Sequence, residues 1–134
     1  MVGKTRVVSD RVGEPPAGTW SNCLVVGNQV FIAGMTARGD DFDSVLHDGV
    51  YQQAKVIFGK IAALMEAAGG TMADVVKVNI FVTDIARREE VWRARREFFT
   101  GDFPVSTLVE VSALALPQML VEVEAVAILG AGNG

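Results

Sequence analysis

Several hydrophobic periods follow one another along the chain. Residues 22–26 and 29–33 are β-rich runs with Gly27 and Asn28 between them, which predicts a hairpin. From 49 to 68 the apolar positions are Val50, Ala54, Ile57, Phe58, Ile61, Leu64, Met65 and Ala68. That spacing is close to 3.6, so the segment reads as an amphipathic helix, stopped by Gly69 and Gly70. Gly59 inside it costs about 1 kcal/mol relative to alanine; close approach of another backbone would account for it. Residues 71–74, TMAD, read as a short capped turn. VVKVNIFVTD then alternates, with Val76, Val78, Ile80 and Val82 on one face and Lys77, Asn79, Phe81 and Thr83 on the other. This is the pattern of a strand with one buried face. Residues 87–99 return to a helical pattern, with Val91, Trp92, Ala94, Arg95, Phe98 and Phe99 near one stripe. Residues 5–9, 105–114 and 119–129 read as further strands.

The last of these, MLVEVEAVAIL, carries two carboxylates in a run otherwise made of buried-type side chains. Side chains alternate across a strand, so Glu122 and Glu124 share a face with Leu120, Val126 and Ile128. The element order, three strands, helix, strand, helix, two strands, lacks regular β-α-β repetition. It predicts an α+β fold: one mixed sheet of about six strands with two helices on one face. The opposite face then has no cover within the chain and must meet water or another copy.

Composition bears on that choice. Half of the 134 residues are hydrophobic and 21% are charged, and the mean hydropathy is +0.32. A chain this short has too much surface to bury that excess alone, and subunit interfaces are the usual place for it. No apolar run is long enough for a membrane helix. MVGKTRVVSD lacks the apolar stretch of a signal peptide, so a soluble, cytoplasmic protein is expected. The net charge is −4. The arginines at 87, 88, 93, 95 and 96 alternate with Glu89, Glu90 and Glu97, a solvated helix face rather than a nucleic-acid surface. One cysteine (Cys23) and one histidine (His47) leave no multi-ligand metal site within one chain. Cys23, in a strand, reads as a small buried hydrophobe.

Several pieces, in order and at natural spacing, resemble the RidA/YjgF family, known earlier as the L-PSP endoribonuclease family. They are PAGTWSN before the hairpin, VFIAGMTA on its second strand and GKIAALMEAAGGTMADVVKVNIFVTDI through the first helix and central strand. The last is EFFTGDFPVSTLVEVSALALPQMLVEVEAVAIL. The resemblance runs from about residue 16 to 128. It implies one domain over residues 1–134, with residues 1–15 as an N-terminal strand and loop and 130–134 as a frayed tail. It also implies the chorismate-mutase-like fold of YjgF proteins and a homotrimer with a barrel-like centre and small-molecule pockets at the subunit interfaces. Members hydrolyse reactive enamines and imines, such as 2-aminoacrylate, to a keto acid and ammonia without a cofactor. The family's last-strand glutamate matches Glu122. A carboxylate there could orient water or move a proton, and burial beside Glu124 would raise its pKa.

The chain departs from the deaminase pattern around that glutamate. The arginine that grips the substrate carboxylate is replaced by Ser106 in FPVST, and the motif's cysteine is Leu108. The tyrosine before the hairpin is Trp20. The usual SGQ is Ala33-Gly34-Met35, and in the second helix an asparagine and an aromatic become Trp92 and Arg95. Losing a charge-assisted grip weakens binding about ten- to a hundredfold. Either Arg95 takes over and the substrate remains anionic, or the substrate is neutral or apolar and imine hydrolysis is changed or lost. The second is the favoured reading.

Glu122 is assigned as the pocket carboxylate, the alternative being an interface glutamate paired with a neighbour's arginine; for Glu124 the interface role is preferred. Ser106 and Thr107 are read as hydrogen-bond donors. Trp20 and Trp92 either line the pocket or pack an interface. Gly34 either lets backbone approach a ligand or makes a strand-end turn. Three functions follow: a RidA-like enamine/imine deaminase acting on a substrate unlike 2-aminoacrylate, a non-catalytic ligand-binding or chaperone-like trimer using the same clefts, and an endoribonuclease. The acidic charge and the absence of a histidine pair disfavour the third.

Overall fold

A computed structural model of the chain describes residues 2–133. It contains strands β1 (Lys4–Arg6), β2 (Cys23–Val26), β3 (Gln29–Met35), β4 (Val75–Val82), β5 (Val105–Glu110) and β6 (Val121–Ile128), with helices α1 (Val50–Ala67) and α2 (Arg88–Arg95). The strands form one mixed sheet in the order β1-β2-β3-β6-β4-β5. Only β4 and β5 are parallel, because α2 lies on the crossover between them. The expected α+β architecture is the one observed. The Gly27-Asn28 hairpin turn is also as expected, with Gly27 at φ +61°.

The buried face of the sheet follows the period-2 pattern. Val121, Val123, Ala125 and Ala127 of β6, Val78, Ile80 and Val82 of β4, and Val30 and Ile32 of β3 lie in one core with α1 residues Ala54, Ile57, Phe58, Ile61, Leu64 and Met65. Each large aliphatic or aromatic side chain buried there contributes about 1.5–3 kcal/mol. Helix α1 covers β3 and β6, and α2 packs on α1. Phe58 meets Phe98 and Phe99 at ring-centroid distances of 5.7 and 5.9 Å. The fully buried Gln53 of α1 ties elements together: its Nε2 donates to the carbonyls of His47 and Gln118, and its Oε1 accepts from Leu120 N at 2.9 Å. The last of these bonds fixes the entry to β6, two residues before Glu122.

The structure corrects several expectations. Helix α2 ends at Arg95, not at residue 99, because the next turns tighten. Glu97 N and Phe98 N donate to the carbonyls of Ala94 and Arg95, three residues back. Phe98 and Phe99 still reach the core from that tightened segment. Strand β5 ends at Glu110 rather than at 114. The side chain of Glu110 accepts a hydrogen bond from Ile85 N at 3.0 Å, opening the turn that leads into α2. Beyond its own helix turn and chain neighbours, none of the described residues comes within 4 Å of where a Cβ at Gly59 would stand, so close approach of another backbone of this protomer does not explain it. The tail, expected to fray, is docked through residue 133. Residues Ala131–Asn133 make one 3-10 turn, and Gly132 N donates to the buried carboxylate of Asp74 at 2.8 Å. Asp74 also closes the expected TMAD capping box by accepting from Thr71 N. Together these backbone donors hold the Asp74 carboxyl below the usual range. Gly134 lies outside the described residues.

The face away from the helices carries the apolar excess. Neighbouring residues in the register point the same way, so Phe31, Val105, Val109 and Ile128 all project from it. They are 41, 67, 42 and 37% exposed.

Candidate functional site

Strand β6 presents Glu122 and Glu124 on one face, as the alternation predicts, and that face is the one the helices leave uncovered. What the alternation does not predict is the neighbour. Strand β3 pairs Ile32 with Ala125 and Met35 with Val123, so it takes three steps where β6 takes two. The extra residue is a bulge at Ala33-Gly34, beside the carboxylates, and a bulge re-aims the side chains around it. Gly34 is the consequence that matters. A Cβ there would stand 2.8 Å from Glu122 Cδ and 3.1 Å from its Cγ, closer than side chains tolerate. The missing side chain is the space in which the Glu122 carboxyl lies.

That carboxyl lines a cleft of about 290 Å³, together with Trp20, Asn22, Ala33, Gly34, Thr36, Arg38, Phe42 and Lys60. Burial raises the Glu122 pKa, the nearby Glu124 carboxylate raises it further, and the positive charge of Arg38 pulls the other way. Trp20 and Phe42 form an aromatic wall, with centroids 6.1 Å apart. Asn22, buried, donates to Gly13 O at 3.0 Å. Lys60 reaches from α1 to the rim and donates to the carbonyls of Thr36 and Arg38, both at 2.7 Å. Burial lowers its pKa, and Arg38 lowers it further against the opposing pull of Asp40.

The loop after β3 supplies the rest. The Asp41 side chain accepts from Asp43 N and from both the backbone N and the hydroxyl of Ser44, a local turn that closes the loop on itself. Phe42 sits at φ +67°, a left-handed conformation that costs a non-glycine residue on the order of 1–3 kcal/mol. The strained residue is the one whose ring carries Arg38, the guanidinium carbon lying 4.6 Å from the ring centroid.

Of the ten sequence-predicted residues, the cleft gathers Trp20, Ala33, Gly34 and Glu122. Glu124, paired with Asn79, stands in one row of the open face with Thr107, on the far side of Asn79. Ser106 and Leu108 alternate to the helix side of the edge strand β5, two strands from β6. There Arg95 Nη1 donates to Ser106 Oγ at 2.9 Å, while the buried Arg95 Nε has no partner among the described residues. Burial, and the neighbouring Arg96, push the Arg95 pKa down. Trp92, half-buried, lies under the guanidinium of Arg88 at 5.7 Å. Within one protomer, then, the Arg95–Ser106 pair and Glu122 lie on opposite faces of the sheet. Cys23 is fully buried, and burial pushes its thiol up to about 11, as fits a packed hydrophobe.

Arg38, Phe42 and Lys60 escaped the sequence reading. Lys60 had a legible signal: three residues after Ile57 and four before Leu64, it interrupts the apolar stripe of α1. Arg38 and Phe42 sat in what read as a polar loop. Among the described residues no three His, Cys, Asp or Glu side chains are grouped to hold a metal ion, and no helix is long and apolar enough to cross a membrane.

The sequence profile of the Endoribonuclease L-PSP family matches residues 12–129, nearly the whole chain. The chain belongs to this family, also called RidA/YjgF. Among its curated relatives, a 2-iminobutanoate/2-iminopropanoate deaminase of Dermatophagoides farinae is 29% identical over 92% of this chain and 96% of its own. A RutC family protein of Pyrococcus abyssi is 33% identical, covering 84% of this chain and 87% of its own. Among solved structures, a Pseudomonas aeruginosa protein of unknown function is 41% identical, with a TM-score of 0.86 over 97% of this chain and 95% of its own. The family and its fold are thereby established for this chain, and its deaminase members give the family its known chemistry.

Proposed function

We propose that the cleft hydrolyses reactive imines or enamines that differ from 2-aminoacrylate, with Glu122 as its catalytic carboxylate. The observation that carries this reading is the Glu122 side chain itself. It is half-buried in a cleft, its carboxyl fits the space left by Gly34, and its pKa is raised by burial. A carboxylate whose pKa is raised in this way is a better proton acceptor from water than an exposed glutamate, and can return the proton to the reacting nitrogen. Water adds to the imine carbon while its proton passes to Glu122. That proton then moves to nitrogen, giving a carbinolamine; Glu122 next takes the hydroxyl proton and passes it to the same nitrogen as the carbon–nitrogen bond breaks, so ammonia leaves and the carbonyl product retains the water oxygen. An enamine reaches the same path after tautomerising. The named activity of the curated relatives supports this reaction class.

The substrate differs from 2-aminoacrylate because a hydroxyl, Ser106, stands where deaminases of the family carry a guanidinium, and the walls are apolar around Trp20 and Phe42. The exposed apolar face supports a homotrimer in which each cleft, with Glu122 and Glu124 of one chain, is completed by a neighbouring copy that brings Thr107, Trp92 and Arg95 to the ligand.

The test is direct. Imines of differing size and charge are generated in situ by an amino-acid oxidase and trapped with semicarbazide, and the protein is added in catalytic amount. Faster loss of at least one imine, abolished in Glu122→Gln, is expected. No acceleration with any imine, together with saturable ligand binding, would replace the hydrolase with a non-catalytic ligand-binding or chaperone-like trimer.

A further inference from the structure

We propose that Arg38 binds an acid group on the substrate, so that the cleft takes an anionic imine with an apolar or aromatic body larger than that of 2-aminoacrylate. The inference rests on the hydrolase reading for the word imine, but not for the acid group. Arg38 lines the same cleft as Glu122 and the aromatic wall. Its guanidinium is stacked on Phe42 at 4.6 Å, and among the described residues no carboxylate pairs with it. A planar cation with several free donors, oriented by a ring, is the group best suited to a two-oxygen acid.

The backbone that carries Arg38 is fixed on every side. Its N–H faces Thr36 Oγ1 at 3.3 Å, its carbonyl accepts from Lys60 at 2.7 Å, and it bridges to Val45 across the loop. The strained backbone of Phe42, held by the Asp41–Ser44 turn, presents the ring beneath it. Glu122, Glu124 and Asp40 offset the charges of Arg38 and Lys60 around the cleft, so an acid would be held by direct contact with the Arg38 guanidinium rather than by a net positive field. Arg95, the other candidate, already spends a donor on Ser106 and stands on the opposite face of the sheet from Glu122 of its own chain. Trp20 and Phe42, in contact at 6.1 Å and tilted by 51°, make one apolar wall of the cleft against which an apolar body beside the acid would pack.

Binding can be read without turnover. Phenylpyruvate, a keto acid of the product class, and its neutral methyl ester are titrated calorimetrically into the wild-type protein, Arg38→Met and Arg38→Lys. Wild type should bind the acid about ten- to a hundredfold more tightly than the ester. Arg38→Met, which keeps the length of the side chain and removes the charge, should abolish that preference, and Arg38→Lys should retain part of it. Equal affinity of wild type for acid and ester overturns the proposal, even if the methionine variant fails to fold. So does a preference that survives in Arg38→Met. If no imine is hydrolysed but the preference still depends on Arg38, the hydrolase reading falls and the acid site stands.

Discussion

Gly34→Ala separates the geometry of the cleft from the stability of the fold. The added methyl would stand 2.8 Å from Glu122 Cδ and closer still to its Oε2, where ordinary contact begins near 3.4 Å, so the carboxyl must withdraw by about 1 Å. The backbone at Gly34 does not lie at positive φ, so alanine is not strained there. The cost to the fold is small. The group that must move is the end of a flexible side chain beside an open cleft, at the low end of the ~1–3 kcal/mol typical of overpacking. Restricting the unfolded chain returns about 0.4–1 kcal/mol. Net stability should therefore change by less than about 1 kcal/mol, a few degrees in melting temperature. Catalysis is less forgiving, because a misplacement near 1 Å costs about a hundredfold. We expect kcat/KM for imine hydrolysis to fall roughly 10- to 100-fold, or about 1.4–2.7 kcal/mol of transition-state stabilisation. Semicarbazide-trapping rates and thermal unfolding on the same preparation measure both quantities. Unchanged activity in a folded Gly34→Ala protein would refute the idea that Glu122 works from the space beside Gly34.

Two further predictions concern the frame around the cleft. Gln53→Leu leaves Leu120 N and the carbonyls of His47 and Gln118 without their partner, which should cost about 3 kcal/mol, roughly 10 °C in melting temperature; a loss under about 3 °C would show that water replaces those bonds. Val109→Glu places a charge on the open apolar face, next to Phe81 in the register. It should convert a wild-type particle of about 43 kDa, three copies of the 14.3 kDa chain, into monomers by sedimentation; a wild type that sediments as a monomer would remove the shared cleft.

The parts of the fold that were legible in the sequence are those set by a local period. Alternation alone put Glu122 and Glu124 on one face of β6, and the 3.6 spacing from Val50 to Ala68 gave α1 almost to the residue; which face the helices leave open needed the structure. The end of α2 was not legible, because Phe98 and Phe99 continue the apolar stripe while the hydrogen bonds have already tightened to three residues. The bulge at Ala33-Gly34 is a mismatch between two strands; a glycine inside a strand pattern hints at one, but its place needs the pairing register. GAGNG reads as a loose tail until Asp74, 58 residues earlier, is seen to hold Gly132. The placement of Arg38 depends on a left-handed Phe42 and on side-chain bonds within the loop, neither of which follows from a hydrophobic pattern. Ser106 was found by resemblance, but the side of β5 on which it lies, and its bond to Arg95, required the register.

The pH dependence of kcat/KM for imine hydrolysis bears most directly on Glu122. Burial and Glu124 disfavour its charged form, so its folded pKa is raised. As the proton acceptor, it is active above that pKa and inactive below it. The profile should show an acidic limb whose midpoint lies above the ordinary glutamate value of about 4.3, and that limb should be absent from any residual activity of Glu122→Gln. A profile that stays flat down to about pH 4, or a limb that persists unchanged in Glu122→Gln, would contradict it.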